Sequence, residues 1–284
     1  MNRKRWVKAV LTCAFGVLAY GGAVFAAPVA VVTDMQGKAT VQESKVVALL
    51  AEVEGDARVQ LDQNARMVVV YYSTGAEYSL RGPAVVQFKA AGPESISGNA
   101  PEKRQVALAS AGKEVKLKPG GLARAAYMMM GAPSTLKLLD LTDTRTLDAK
   151  PELRWVALEG VRHYEVRVTR EGTGTVFATT TTGTSVKFPN EVSLEPDVKY
   201  TWRVSALLSD KTRATSVGEF SVVPEPVRAD VVAARPAESA SISQKVTYAL
   251  WLEQLELRDE ARKYWEIARG ERPNNATLEA LVSK

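Results

Sequence analysis

The sequence contains a single cysteine, Cys13, and a single histidine, His163. That scarcity excludes a zinc finger, a histidine-rich metal centre and a disulfide framework, and leaves no cysteine–histidine dyad worth seeking. No Gly-x-Ser-x-Gly elbow and no His-Glu-x-x-His helix occurs. A sustained basic excess is missing as well. The formal charge is +5, from 37 Lys+Arg against 32 Asp+Glu, but Arg3, Lys4, Arg5 and Lys8 supply four of the surplus charges, and 1–26 holds no acidic residue. The remaining 33 basic and 32 acidic residues divide as 12 and 10 over 27–134, 12 and 13 over 135–225, and 9 and 9 over 226–284. No segment carries the basic stripe that phosphate binding requires, so the expected partners include no nucleic acid.

What is present is enough chain for two to three domains: 284 residues, 46% of them apolar, against about 100–150 residues per domain. The apolar share excludes a mostly disordered chain. At the N-terminus the four basic residues precede an uncharged stretch, Ala9–Ala26, that closes on Val24-Phe25-Ala26. This reads as a signal peptide over 1–26 cut after Ala26, since Pro28 forbids a cut one residue later. The alternative is an uncleaved anchor over 9–26 facing the periplasm, the only way this reading brings the chain to a membrane. A lipoprotein reading of Cys13 is disfavoured, because Thr12 precedes it and the apolar run continues past it. The expected location is therefore the periplasm.

Residues 27–134 read as an all-β domain. Apolar or β-branched stretches lie at Val29–Thr33, Ala39–Val41, Val46–Val53, Arg58–Leu61, Met67–Tyr72, Tyr78–Leu80 and Val85–Phe88, punctuated by Gly55, Gly75, Gly82-Pro83 and Gly92-Pro93. The polar run Ala91–Arg104 reads as a long loop, followed by strands at Gln105–Ala109, Val115–Leu117 and Arg124–Met130. The segments Val46–Gly55, Asn64–Tyr72 and Ser73–Ala84, with Val115-Lys116-Leu117-Lys118-Pro119-Gly120 closing, resemble a FecR-type periplasmic domain. Thr74-Gly75-Ala76 departs from that family's Asp-Gly-Ser turn by a residue on either side of the glycine.

Residues 135–225 show cleaner alternation, with six strands at Leu153–Val156, Tyr164–Val168, Val176–Ala178, Ser185–Phe188, Tyr200–Val204 and Gly218–Val223, and a seventh expected at Thr135–Leu139. Trp155 is placed to plug the core, and Leu194-x5-Tyr200 has the spacing of a tyrosine corner. Trp202 follows Tyr200 by two and shares its face, expected on the core side. These residues resemble a fibronectin type III-like or immunoglobulin-like module.

Three prolines between Pro224 and Ser241 suggest a stiff, extended linker over 226–241. Residues 242–284 switch to helical period, with Val246, Ala249, Leu250, Leu252, Leu255 and Leu257 on one broad face and a break near Arg258-Asp259. Ala249, Ala261, Trp265, Ala268 and Pro273 resemble one tetratricopeptide repeat, with Lys245 where a large apolar residue is usual. Asn274 is expected to cap a third helix, Ala276–Val282. A lone repeat cannot bury its apolar face, so the pair is expected to dock on the sandwich or on another protein.

The fold class expected is thus mainly β: a FecR-like domain, a fibronectin III-like sandwich and a short C-terminal helical hairpin. Candidate chemistry is sparse. His163 has no paired Ser or Cys nearby in sequence. Ser110-Ala-Gly-Lys113 has Ser-x-x-Lys spacing but precedes a strand, and Gly112 opposes the helix that the chemistry needs. Gly172-Thr-Gly174 reads as a hairpin turn. Asp140, Asp143 and Asp148 lack the turn glycine of a calcium loop. Tyr127 with Met128-Met129-Met130 suits a buried strand or an adaptable surface. No catalytic, cofactor-binding or metal-binding residue is assigned, no cofactor is expected, and the binding residues are left open. The resemblance implies a non-enzymatic envelope scaffold whose partner is a periplasmic or outer-membrane protein, or peptidoglycan. Only eight residues precede the apolar run, too few for a cytoplasmic regulatory domain. The alternative is a cell-wall polymer enzyme or accessory subunit using carboxylates as acid and base.

Overall fold

The structure, a computed structural model, describes residues 27–42, 44–106, 108–110, 113–120, 136–208 and 213–282. The expected signal segment and the Tyr127–Met130 run lie outside them. The fold is mainly β, built of antiparallel sheets with a C-terminal helix cluster. Among the described residues no helix is long and apolar enough to cross a membrane.

The first unit holds two five-stranded sheets. One has the order β10-β7-β6-β1-β4, with β1 Pro28–Gln36, β4 Glu52–Glu54, β6 Arg66–Tyr71, β7 Ala76–Arg81 and β10 Glu102–Val106. The other runs β3-β2-β5-β8-β9, with β2 Ala39–Val41, β3 Lys45–Val46, β5 Arg58–Leu61, β8 Ala84–Lys89 and β9 Gly92–Gly98. Ala30, Val32, Met67, Val69, Tyr71, Val59, Val86 and Phe88 fill the space between them. The intervening residues Val31 and Val70 face away, into a second core shared with the helices. Burial on both faces is why β1 and β6 read as near-continuous apolar runs.

Three expectations fail here. The stretch Ala91–Arg104 is not a loop: it carries β9 and the start of β10. β9 is a sheet edge exposed over most of its length, so nothing in its environment selects apolar residues, and Pro93 is tolerated there. The single strand expected over Val46–Val53 is split, because Val47, Leu49 and Leu50 leave the ladder to fill the core, with Leu50 at φ 66°. A short hairpin of β11 Ala109–Ser110 and β12 Lys113–Glu114 replaces the strand expected at Val115–Leu117.

The second unit is a sandwich. Its larger sheet has the order β13-β19-β18-β15-β16, from β13 Thr144–Thr146, β15 Val161–Arg170, β16 Gly174–Thr181, β18 Lys199–Leu208 and β19 Arg213–Val222. β14 Glu152–Arg154 pairs with β17 Ser185–Lys187 in the smaller sheet. The expected seventh strand at Thr135–Leu139 is reduced to a bridge between Leu138 and Trp155; the extra strand is β13, which joins β19 in parallel. Trp155, Trp202 and Tyr200 are buried in one core, with the two Trp rings 6.4 Å apart. The Tyr200 hydroxyl accepts from the Glu195 N–H at 2.9 Å, the bond of a tyrosine corner.

The linker is not extended. Helix α1 spans Glu225–Ala233, and Val231 is buried. Pro226 sits in its first turn, where a missing N–H costs nothing because that donor has no intrahelical partner. Helices α2 Ile242–Gln254, α3 Arg258–Glu271 and α4 Ala276–Val282 follow. Ser241 and Gln244 form a capping box on α2. The cap of α4 is Asn275, not Asn274: its Oδ1 accepts from the Thr277 and Leu278 N–H groups, while Asn274 takes a left-handed φ of 68°.

The helices dock mainly on the first unit, not on the sandwich. α2 packs Val246, Ala249 and Leu250 against Val31 and Val70. Lys245, which interrupts the apolar pattern, bonds Glu271 at 2.7 Å and ties α2 to α3. α3 also meets the sandwich. Thr144 Oγ1 donates to the Glu256 carbonyl and accepts from the Arg258 N–H, each at 3.0 Å, and Asp259 accepts from the Leu141 N–H at 2.8 Å.

Candidate functional site

The motifs singled out by the sequence do not converge. Ser110 and Lys113 are backbone partners in the β11–β12 hairpin, so the helical turn needed by Ser-x-x-Lys chemistry is absent. Gly172 and Gly174 turn the chain from β15 into β16, both with positive φ. The three aspartates are dispersed: Asp140 pairs with Arg154 at 2.6 Å, Asp143 with Arg258 at 2.8 Å, and Asp148 accepts from the Lys150 N–H. His163 is half-buried on β15, with Nε2 3.9 Å from Glu165. Among the described residues no group of three His, Cys, Asp or Glu side chains is placed to hold a metal ion.

Several other buried polar groups tie elements together. The Ser243 hydroxyl lies 2.7 Å from that of Thr33 and donates to Glu77, which Arg104 approaches at 3.5 Å. Asp34, 4% exposed, takes both arms of Arg272 at 2.9 and 3.0 Å. These bonds join α2 and the end of α3 to the first unit. Burial raises the carboxyls of Glu253 and Asp259, but the first is held by the Trp265 indole N–H and the second by the Leu141 N–H. A cleft of about 270 Å³ beside β13 is lined by Glu256 and by three charge pairs, Arg145 with Asp197, Arg258 with Asp143 and Lys199 with Glu219.

The outer face of the sandwich's larger sheet differs. It forms a groove of about 750 Å³ over β16, β15, β18 and β19. Strand alternation sends Val166, Val168, Trp202 and Val204 inward and Glu165, Arg167, Thr169, Thr201, Arg203 and Ser205 outward. Register then sorts the outer residues into rows across the strands. The middle row is Ala178–Arg167–Arg203–Val217. One neighbouring row is Thr180–Glu165–Ser205–Thr215, and the other contains Thr169, Thr201 and Glu219.

Arg167 and Arg203 are thus directly opposite, with Cβ atoms about 5 Å apart in such a pairing. Both are exposed, and neither has an ion-pair or hydrogen-bond partner among the described residues. The other charges on the face are engaged: Glu165 with Arg213 at 3.4 Å and Lys199 with Glu219 at 2.6 Å. Like charges opposed on neighbouring strands are unfavourable, and a shared anion relieves them through charge-assisted bonds. The sequence reading missed this pair. Its trace is the repeated Val-Arg-Val or Trp-Arg-Val alternation in two strands, but only the pairing register brings the arginines together.

Comparisons with known proteins add little. No family profile matches the chain, and no curated protein matches it. Among solved structures, the fibronectin type III domain of human collagen alpha-1(XX) chain is similar at 19% identity, over 39% of this chain and 90% of that one, with a TM-score of 0.24. A likeness at that level carries no argument about family or function.

Proposed function

We propose that the protein is an exported, non-catalytic scaffold of the periplasm that binds an envelope partner, a protein or the cell-wall glycan, through its sandwich. In this reading the first unit is FecR-like, the sandwich is fibronectin III-like and the helix pair is tetratricopeptide-like. One observation carries the binding role: an open groove whose two central guanidiniums have no ion-pair or hydrogen-bond partner among the described residues. Export rests on the basic N-terminus, the uncharged 9–26 stretch and the small residue at the cut site.

The experiment is in-cell crosslinking with a tagged full-length chain, followed by fractionation and mass spectrometry. The expected result is a periplasmic protein starting at Ala27, crosslinked to an envelope protein or sedimenting with peptidoglycan. Retention in the cytoplasm, or recovery with neither class of partner, overturns it.

A further inference from the structure

We infer that the groove over Arg167 and Arg203 binds a carboxylate-bearing polysaccharide, with the sugar carboxylate held between the two guanidiniums. The inference deepens the binding role proposed above and rests on it. Four observations lead to this ligand.

First, the arginines form one anion position. They face each other across β15 and β18 with no partner of their own among the described residues, and a planar carboxylate offers two oxygens to two forks. Second, that position is bounded. One row away on β15, Glu165 is the acidic residue lining the groove and is paired with Arg213 at 3.4 Å, so that row offers no unpaired cation to a second anion. Dense negative charge, as in an acidic peptide, is therefore poorly matched.

Third, the rest of the lining consists largely of hydroxyls. The outward Thr180 and Thr201 border the groove beside Thr169, whose hydroxyl donates to the Thr201 carbonyl, and Ser205, whose hydroxyl bonds that of Thr215; a hydroxyl can both donate and accept, matching the hydroxyls of a sugar. Fourth, the backbone beneath is not available. β15 is paired on one side with β16 and on the other with β18, and β18 with β15 and β19, so strand addition over the arginines is blocked. A ligand here must be read by side chains. Ala178 and Val217, short side chains at the two ends of the arginine row, leave room for a chain to pass across the strands.

The test is calorimetry on the mature full-length chain with oligogalacturonate as probe, beside the same oligomer with its carboxyls reduced to alcohols, and beside poly-glutamate. Oligogalacturonate is expected to bind, more weakly as salt is raised, and the reduced oligomer is not. Arg167→Gln and Arg203→Gln are each expected to weaken binding about tenfold. Near-UV circular dichroism verifies that the variants fold. Amide shift mapping on the unmutated chain, which needs no variant, is expected to show changes centred on Thr169, Thr180, Thr201 and Ser205. Poly-glutamate binding as tightly as the uronate, binding unchanged in both arginine variants, shifts elsewhere, or no uronate binding overturns the inference. If crosslinking still captures an envelope partner when the uronate fails, the scaffold reading survives and only the ligand class falls. If nothing is captured, the reading beneath it falls.

Discussion

Gly218 lies on β19 where the backbone passes under Trp202. A Cβ there would overlap the Trp202 indole nitrogen and the Leu141 carbonyl oxygen, the two atoms that make a buried bond of 2.9 Å. Gly218→Ala is expected to cost about 3 kcal/mol, from overpacking plus the lost bond, read by urea unfolding with tryptophan fluorescence. Glu253 gives a pH-dependent counterpart. Burial raises its carboxyl in the folded chain, with Trp265, Arg258 and Arg262 opposing. A raised folded value means stability is fully present below the unfolded value and is lost as pH rises through the folded one. Glu253→Gln keeps an oxygen for the Trp265 N–H and removes the charge. It is expected to raise the melting temperature at neutral pH, with the gain closing as pH falls into the ordinary carboxylate range.

At the scale of elements, the docking of α2 and α3 decides the fate of the first unit. The helices cover the second face of the β10-β7-β6-β1-β4 sheet, and the contact is apolar at its centre, with the Arg272–Asp34 ion pair beside it. Asp34 follows a bulge in β1, between Val32 and Asp34 in the pairing with β6, and is buried against Arg272. Arg272→Ala strands that carboxylate. Because Arg272 keeps 26% of its side chain in solvent, the loss is expected at about 2–3 kcal/mol, by chemical denaturation. Asp34→Asn combined with Arg272→Ala is expected to recover part of it, the sign of a coupled pair.

At the scale of the molecule, the two β units differ in self-sufficiency. The sandwich encloses its own core from Leu136 to Val222. The first unit shares Val31, Leu49, Leu50, Val70, Leu108 and Leu117 with the helices. A piece spanning 136–222 is expected to fold alone and give dispersed amide resonances. A piece ending at 120 exposes that apolar face and is expected to bind a hydrophobic dye and aggregate. Much of this architecture was legible: strand periodicity located most strands within a few residues, the Leu194–Tyr200 spacing located the corner bond, and small residues at Ala249, Ala261 and Ala268 located the close helix pair. The exposed strand β9 was not legible, because an edge in solvent imposes no apolar pattern. Nor was helix α1, whose proline lies in a turn that tolerates it.

The sequence by itself determined which residues are inward and which outward along each strand and helix, since alternation and helical period follow from backbone geometry alone. It also determined that one histidine and one cysteine leave little room for metal or thiol chemistry. Only the tertiary structure decided which surface covers which, and which outward residues meet. Arg167 and Arg203 are separated by 36 positions in sequence and become neighbours through the β15–β18 register. Val31 and Val70 look like ordinary core residues until the helices give their sheet a second buried face. Register and docking are set by long-range packing, which local pattern does not encode.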